Sequence, residues 1–168
     1  MENIDTFIKD LNINLKTYEI DHAALRFKKD EDVLLLHDEL QKTGVKLSEA
    51  NVNGRMIYIF KLNKPLEHKN WSISCVELPH PSKNHAYKDD GWEHIEFVLP
   101  DTNPNDLETH FLDIFPNLTK DMLSKYTFHI STPKVEGEQL LNTTISLTKH
   151  IGLAIKFHCY SIEDVVCG

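Results

Sequence analysis

Three histidines and one glutamate stand at matched positions in four strand-like segments of this sequence. They are His22, Glu77, His94 and His158. Imidazole nitrogens and a carboxylate together form a ligand set that Zn, Ni, Fe and Mn accept. Solvated strand faces favour Thr, Lys, Ser and Glu, so these residue types indicate a divalent-metal site. The pattern leaves one alternative open, a polar sheet face that has no function.

Strand alternation is what would bring these side chains together. Successive side chains of a strand point to opposite faces of its sheet. In the predicted strand that contains His22 and in the one that contains His94, the apolar residues therefore share one face. That face should pack on helices. The opposite face carries His22 and Arg26 in the first of these strands, and Trp92, His94 and Glu96 in the second. Glu77, in the last strand of the first half, points away from the apolar face of its strand. Lys156 and His158 do the same in the last strand of the second half.

The elements that position these residues occur in two similar halves. Residues of about 18–79 are predicted to form a strand, a helix and three strands, and residues of about 91–160 repeat that order. A helix is predicted at about 3–12 and a linker at about 80–90. Asn53-Gly54 favours a two-residue hairpin turn, and an acid-His pair opens each half, at 21–22 and 93–94. The sequence thus predicts one α+β domain over 1–168, made of two βαβββ modules.

Composition excludes several classes of function. The 168 residues include 18 Lys and Arg against 26 Asp and Glu, for a formal net charge of −8. This charge disfavours nucleic acid and anionic membrane surfaces as partners. The sequence has no apolar run long enough to span a membrane and no secretory signal pattern, so a cytoplasmic location is expected. The three cysteines lack C-x-x-C spacing and are expected to be reduced thiols.

Seven blocks, in order across nearly the whole chain, resemble the bacterial YecM-like proteins. The blocks are IDHAALR at 20–26, SEANVNGR at 48–55, FKL at 60–62, VELP at 76–79, GWEHIE at 91–96, IKFH at 155–158 and SIEDV at 161–165. That family is similar in fold to the vicinal-oxygen-chelate superfamily of glyoxalase I, extradiol dioxygenases and bleomycin-resistance proteins. The resemblance implies paired βαβββ modules that form a cup-shaped, mostly antiparallel sheet with helices on its outer face.

The same resemblance implies roles for individual residues. In that superfamily the metal ligands look like a His or Glu on the first strand of each module and a Glu on the last. His22, His94 and Glu77 match those positions. His158 stands where a Glu is usual and is expected to be a fourth ligand or an acid-base partner. The ion, whether Zn, Ni, Fe or Mn, would act as a Lewis acid that holds two neighbouring oxygens of a substrate.

Four further residues are candidates for catalysis or substrate binding. Glu96 would be the general base, with Lys156 as a second catalytic residue. The alternative for Glu96 is a simple ion pair with Lys156 or Arg26. Arg26 would bind an anionic group of the substrate. Trp92 would pack at the mouth of the cup or stack on a ligand.

Two functions are predicted. The first is a metal-dependent isomerase, lyase or dioxygenase of glyoxalase/dioxygenase-like type that acts on a small oxygen-bearing substrate. The alternative is a metal-free protein that binds or sequesters a small molecule in the same cup. A monomer and a homodimer both fit the sequence. Substrate and reaction stay open, because specificity would lie in the loops at 79–90 and 132–142.

Overall fold

Strands and helices follow one another in two similar halves of the computed structural model, which describes residues 1–52, 54–82, 89–132, 140–150 and 153–168. The elements are α1 (Glu2–Leu11), β1 (Ile20–Arg26), α2 (Asp30–Thr43), β2 (Gly44–Val52), β3 (Arg55–His68), β4 (Trp71–Pro79), β5 (Gly91–Val98), α3 (Leu107–Ile114), α4 (Lys120–Leu123), β6 (Thr127–Ser131), β7 (Thr144–His150), β8 (Leu153–His158) and α5 (Ile162–Cys167). In each half a strand is followed by a helical segment and three strands, as the hydrophobic periodicity predicts.

The described strands belong to one sheet, in the order β2-β3-β4-β1-β5-β8-β7-β6. β1 pairs in parallel with β4, and β5 pairs in parallel with β8. All other neighbouring strands in this order are antiparallel. Each half therefore places its first strand at the centre of the sheet, where β1 and β5 meet. The predicted α+β class with a mostly antiparallel sheet is confirmed.

The helices α1, α2 and α3 cover the face of the sheet opposite the candidate site. The amphipathic helix α1 buries Phe7 in a cluster that also contains Phe97, Phe111 and Phe157. The helix α2 contributes Val33 to a second buried cluster beneath β3 and β4. Burying each such large apolar side chain stabilises the fold by about 1.5–3 kcal/mol. Among the described residues, no helix is both long enough and apolar enough to cross a lipid bilayer.

The β2-β3 hairpin forms where the sequence predicts it. Val52 pairs with Arg55, and Gly54 has a φ of 80°, a value that favours glycine and suits a type I′ turn. Asn53 lies outside the described residues, as does 83–88, most of the predicted linker. The pairing from Gly44 to Val52 fixes the strand register that brings both strands to the wall of the cup.

A β-bulge at the start of β1 changes the direction of one side chain. Ile20 pairs with Phe97 of β5, whereas His22 pairs with Glu96. Asp21 is thus an extra residue in β1 that has no paired residue in β5. A bulge interrupts the strict alternation of faces. As a result the Asp21 carboxylate reaches His22 instead of pointing to the helix side of the sheet.

A second bulge lies at the start of β5. Ala24 pairs with His94, whereas Leu25 pairs with Trp92, so Glu93 is an extra residue in β5. Residues directly opposite one another share a face of the sheet. Trp92 therefore shares the helix side with Leu25, while Glu93 and His94 both reach the cup. In both halves the acid of the acid-His pair occupies a bulge.

Candidate functional site

The concave face of the sheet encloses a cavity of about 570 Å³. Four central strands contribute the predicted metal ligands and the two predicted catalytic residues to its lining. They are His22 from β1, Glu77 from β4, His94 and Glu96 from β5, and Lys156 and His158 from β8. The structure thus brings these six residues, far apart in the sequence, to one surface.

The first ligand cluster consists of His22, Glu77, His94 and Glu96, whose ligand atoms all lie within 4.8 Å of one another. His22 Nε2 lies 3.5 Å from Glu77 Oε2 and 3.4 Å from Glu96 Oε1. His94 Nε2 lies 3.7 Å from Glu77 Oε1 and 3.1 Å from Glu96 Oε1. Ligand atoms bonded at about 2.1 Å to one cation are about 3.0–3.4 Å apart. The cluster therefore has nearly the spacing that a divalent cation requires.

Asp21 orients the ring of His22. Because a carboxylate only accepts hydrogen bonds, His22 Nδ1 is the donor in its 2.7 Å contact with Asp21 Oδ2. Nε2 is then the nitrogen that faces Glu77 and Glu96. It has no hydrogen-bond partner among the described residues, although His22 is only 2% exposed. A buried nitrogen that faces two carboxylates is stable only if a proton or a metal cation lies between the nitrogen and the carboxylate oxygens.

The carboxylates of Asp21, Glu77 and Glu96 are held ionised. Burial by itself would raise the pKa of each. The imidazole of His22 hydrogen-bonds Asp21, neighbouring imidazoles attract all three carboxylates, and the ammonium of Lys156 attracts the two glutamates. These contacts outweigh burial and lower the pKa to about 2 for Asp21 and Glu77, and well below its usual range for Glu96. The negative charges of Glu77 and Glu96 in the cavity lining, together with that of Asp21 beside His22, favour the binding of a cation.

The pKa values of two basic groups beside these carboxylates, His22 and Lys156, are raised. Burial would lower the pKa of His22, but the charge of Glu96 and the hydrogen bond to Asp21 raise it well above its usual value. Burial would also lower the pKa of Lys156, and Glu96 and Glu77 raise it. Lys156 Nζ lies 2.7 Å from Glu96 Oε1 and 3.2 Å from His94 Nε2. In the metal-free protein, Lys156 therefore provides part of the positive charge that the cluster needs.

His158 belongs to a neighbouring group with Asp21 and His22. Its Nε2 lies 3.3 Å from Asp21 Oδ2 and 3.4 Å from Glu96 Oε2. The first ligand cluster, as the structure defines it, contains Glu96 in the place where the sequence predicts His158. Asp21 was not among the residues predicted for the site. The acid-His pair at the start of each half was its only signal in the sequence.

The predicted substrate-binding residues lie elsewhere. Trp92 packs against the apolar cluster beneath α1, because the bulge at Glu93 reverses the alternation of faces on which the prediction relied. Arg26 Nε donates a hydrogen bond to the carbonyl of Asp89, 3.1 Å away, at the end of β1. Arg55 instead lines the cavity, where its guanidinium forms two hydrogen bonds of 3.2 and 3.1 Å with the carboxylate of Glu93.

The two side walls of the cavity differ in chemistry. β2 and β3 contribute mostly apolar residues, and the short helix α5 adds three more. These apolar residues are Ala50, Val52, Ile57, Ile59, Ile162, Val165 and Val166. The opposite wall, on and beside β6 and β7, carries hydroxyl, amide and imidazole groups. These polar residues are His129, Ser131, Asn142, Thr144 and Ser146. The second wall is therefore the one that can form hydrogen bonds with oxygen atoms of a small molecule.

Comparison with known proteins relates this arrangement to one family. A family model described as YecM protein matches residues 1–167. An uncharacterized protein of Haemophilus influenzae is 37% identical over 164 residues, which cover 95% of this chain and 84% of that protein. Protein YecM of Escherichia coli K12 is 36% identical over 167 residues, covering 98% and 86%. A solved structure from structural genomics, protein EC4020, has a TM-score of 0.84 at 32% identity and covers 99% of this chain and 85% of that one. The family match includes every element that lines the cavity.

Proposed function

This chain belongs to the YecM protein family, and from that premise we propose that it is a metal-dependent enzyme of glyoxalase/dioxygenase-like type. The substrate is a small molecule with two neighbouring oxygen atoms.

One observation carries the proposal. The Nε2 atoms of His22 and His94 each lie 3.1 to 3.7 Å from one oxygen of Glu77 and from Oε1 of Glu96. One ligand atom from each of these four residues lies within 4.8 Å of the other three. The His22 nitrogen has no hydrogen-bond partner among the described residues. Nitrogen and oxygen ligands in this ratio suit Zn, Ni, Fe(II) or Mn. The donor set therefore fits the divalent cation that the sequence predicts.

Each group that lines the cavity would have a different role in the reaction. A bound divalent cation would supply Lewis-acid polarisation of the substrate oxygens. Glu96 lines the cavity, but its low pKa makes it a weak proton acceptor at neutral pH, which favours ligation over general-base catalysis. The ammonium of Lys156, beside it, would stabilise negative charge that develops on a substrate oxygen. Ser131 and Ser146 on the polar wall would hydrogen-bond the rest of the substrate.

Elemental analysis of the purified protein tests this proposal. Wild type is compared with His94→Ala and Glu77→Gln, after dialysis against Zn, Ni, Mn and anaerobic Fe(II). Asp5→Asn is the matched control, since Asp5 is also a buried acid that contacts a histidine, His68, but lies outside the cluster. We expect metal in wild type and control, and a loss of metal in the two cluster variants. Wild-type protein without metal after every dialysis would refute the proposal.

Lys156 favours a second candidate function. Its ammonium lies within 3.2 Å of both Glu96 and His94, so the cluster has a positive charge of its own. A metal-free cup could then bind or sequester a small molecule without catalysis. In that case the wild-type protein contains no metal, and His94→Ala leaves its affinity for small molecules unchanged.

A further inference from the structure

A second cavity lies beside α1, between that helix, the segment 12–16 that follows it and the turn at 69–71 that joins β3 to β4. Its volume is about 460 Å³, which lies within the range of roughly 300–1,000 Å³ that small-molecule sites occupy. The described residues that line it are all different from those that line the cavity of the candidate site. A ligand could therefore bind here independently of the metal cluster.

The floor of this second cavity is apolar. Ile8 and Leu15 are 8% and 2% exposed and belong to the hydrophobic cluster beneath α1. Ile13 and Trp71 are half-buried and pack against the same cluster. The cavity thus leaves one side of the hydrophobic core open to a molecule that enters it. An apolar group that covers this floor is removed from water together with it, which favours binding.

The charged groups of the lining are three lysines and one aspartate. The carboxylate of Asp5 contacts the ammonium of Lys69 and lies 2.8 Å from His68 Nε2, so its charge is compensated. Lys9 and Lys16 are exposed, and neither forms an ion pair with any residue that the structure describes. The rim therefore carries an excess of positive charge, although the net charge of the chain is −8. Local positive charge of this kind attracts an anion.

We propose that the second cavity binds a small apolar carboxylate, a hydrocarbon chain or ring with a single acidic group. The hydrocarbon lies against Ile8, Leu15 and Trp71, and the carboxylate lies near the ammonium groups of Lys9 and Lys16. A neutral apolar molecule would leave the lysines without an anion. A polyanion such as a nucleotide would bring polar groups onto the apolar floor, which is unfavourable. The lining therefore favours a monoanion over both.

Isothermal titration calorimetry with sodium octanoate tests this proposal. The protein is first dialysed against a chelator, so that no bond between a metal and the carboxylate contributes. Octan-1-ol, which has the same chain without the charge, is titrated in parallel. The double variant Lys9→Gln, Lys16→Gln removes the cationic rim. Its matched control is Lys64→Gln, Lys125→Gln, which removes two exposed lysines outside the lining. Circular dichroism confirms that both variants are folded.

We expect octanoate to saturate one site per chain with a Kd of about 1 mM or lower. Octan-1-ol should bind about tenfold more weakly, and the affinity for octanoate should fall about tenfold in Lys9→Gln, Lys16→Gln and stay unchanged in the control. Wild type without saturable octanoate binding would overturn the proposal. Equal affinities of the two variants for octanoate, or equal affinities of wild type for octanoate and octan-1-ol, would do the same. None of these results bears on the metal content of the candidate site.

Discussion

Asp21 accepts a hydrogen bond from His22 over 2.7 Å, although neighbours in a strand ordinarily point to opposite faces of a sheet. The bulge in β1 makes the contact possible. The other oxygen of Asp21 accepts from the backbone N–H of Ile162, at 2.7 Å. One carboxylate therefore connects a metal-ligand candidate with the first residue of α5.

Asp21→Ala should loosen the start of α5. The variant removes a charge-assisted hydrogen bond of about 1.5–3 kcal/mol, so the Ile162 amide should exchange with solvent roughly 10–100 times faster. Amide exchange measured by NMR in metal-free protein tests this. Asp5→Asn should leave Ile162 unchanged. Equal exchange rates at Ile162 in wild type and Asp21→Ala would contradict the predicted link.

Lys156→Met should increase affinity for a divalent cation. Nζ of Lys156 lies 2.7 Å from Glu96 Oε1 and competes for that oxygen. Its removal should strengthen metal binding about tenfold and lower the melting temperature of the metal-free protein, because Glu96 loses the shortest of its ion pairs. Competition with a chromophoric chelator measures the affinity. Lys61→Met, which removes a surface ion pair with Glu163, is the control. Weaker binding by Lys156→Met would mean that Lys156 supports the ion instead.

The three cysteines should differ in reactivity. Burial, and then the charge of Glu163, raise the pKa of Cys75 to about 12, and burial raises that of Cys159 to about 11. Cys167 is exposed. At pH 8 a disulfide reagent should therefore react quickly with one thiol of the native protein, and with all three after unfolding. The fast phase should vanish in Cys167→Ser. A fast phase that persists in this variant would show that a buried thiol is accessible.

Asp5 should make stability depend on pH independently of any metal. Burial would raise its pKa, but hydrogen bonds from Lys69 and His68 lower it. A lowered pKa in the folded state gives stability that is present above the unfolded-state value, about 3.9, and is lost as the pH falls through the folded value. Wild type should therefore be more stable than Asp5→Asn at pH 7, and the difference should shrink below about pH 4. Urea unfolding at several pH values measures it. A constant difference would contradict this account.

Strand alternation predicts much of the site, because it needs only local sequence. It brings His22, Glu77, His94 and Glu96 to one face, and the structure places all four there. It also explains why α1, α2 and α3 pack on the opposite side of the sheet. These positions lie in stretches where the pairing is regular.

Alternation fails at the two bulges. Trp92 and Asp21 lie on the opposite sides from those that alternation assigns, because one extra residue in a strand shifts every side chain beyond it. A bulge depends on the register between β1 and β5, which are separated by most of the first half of the chain. Local sequence patterns do not determine the pairing register between these two distant strands. The acid-His pairs at 21–22 and 93–94 mark both positions without indicating their geometry.

The meeting of β1 and β5 at the centre of the sheet has a kinetic consequence. His22 and Glu77 come from the first half of the chain, and His94, Glu96 and His158 come from the second. Because the ligands are so distant in sequence, the site assembles only after the two halves have joined, and such long-range contacts form slowly. Metal capture would then be a late folding event and would serve as a reporter of completed tertiary assembly.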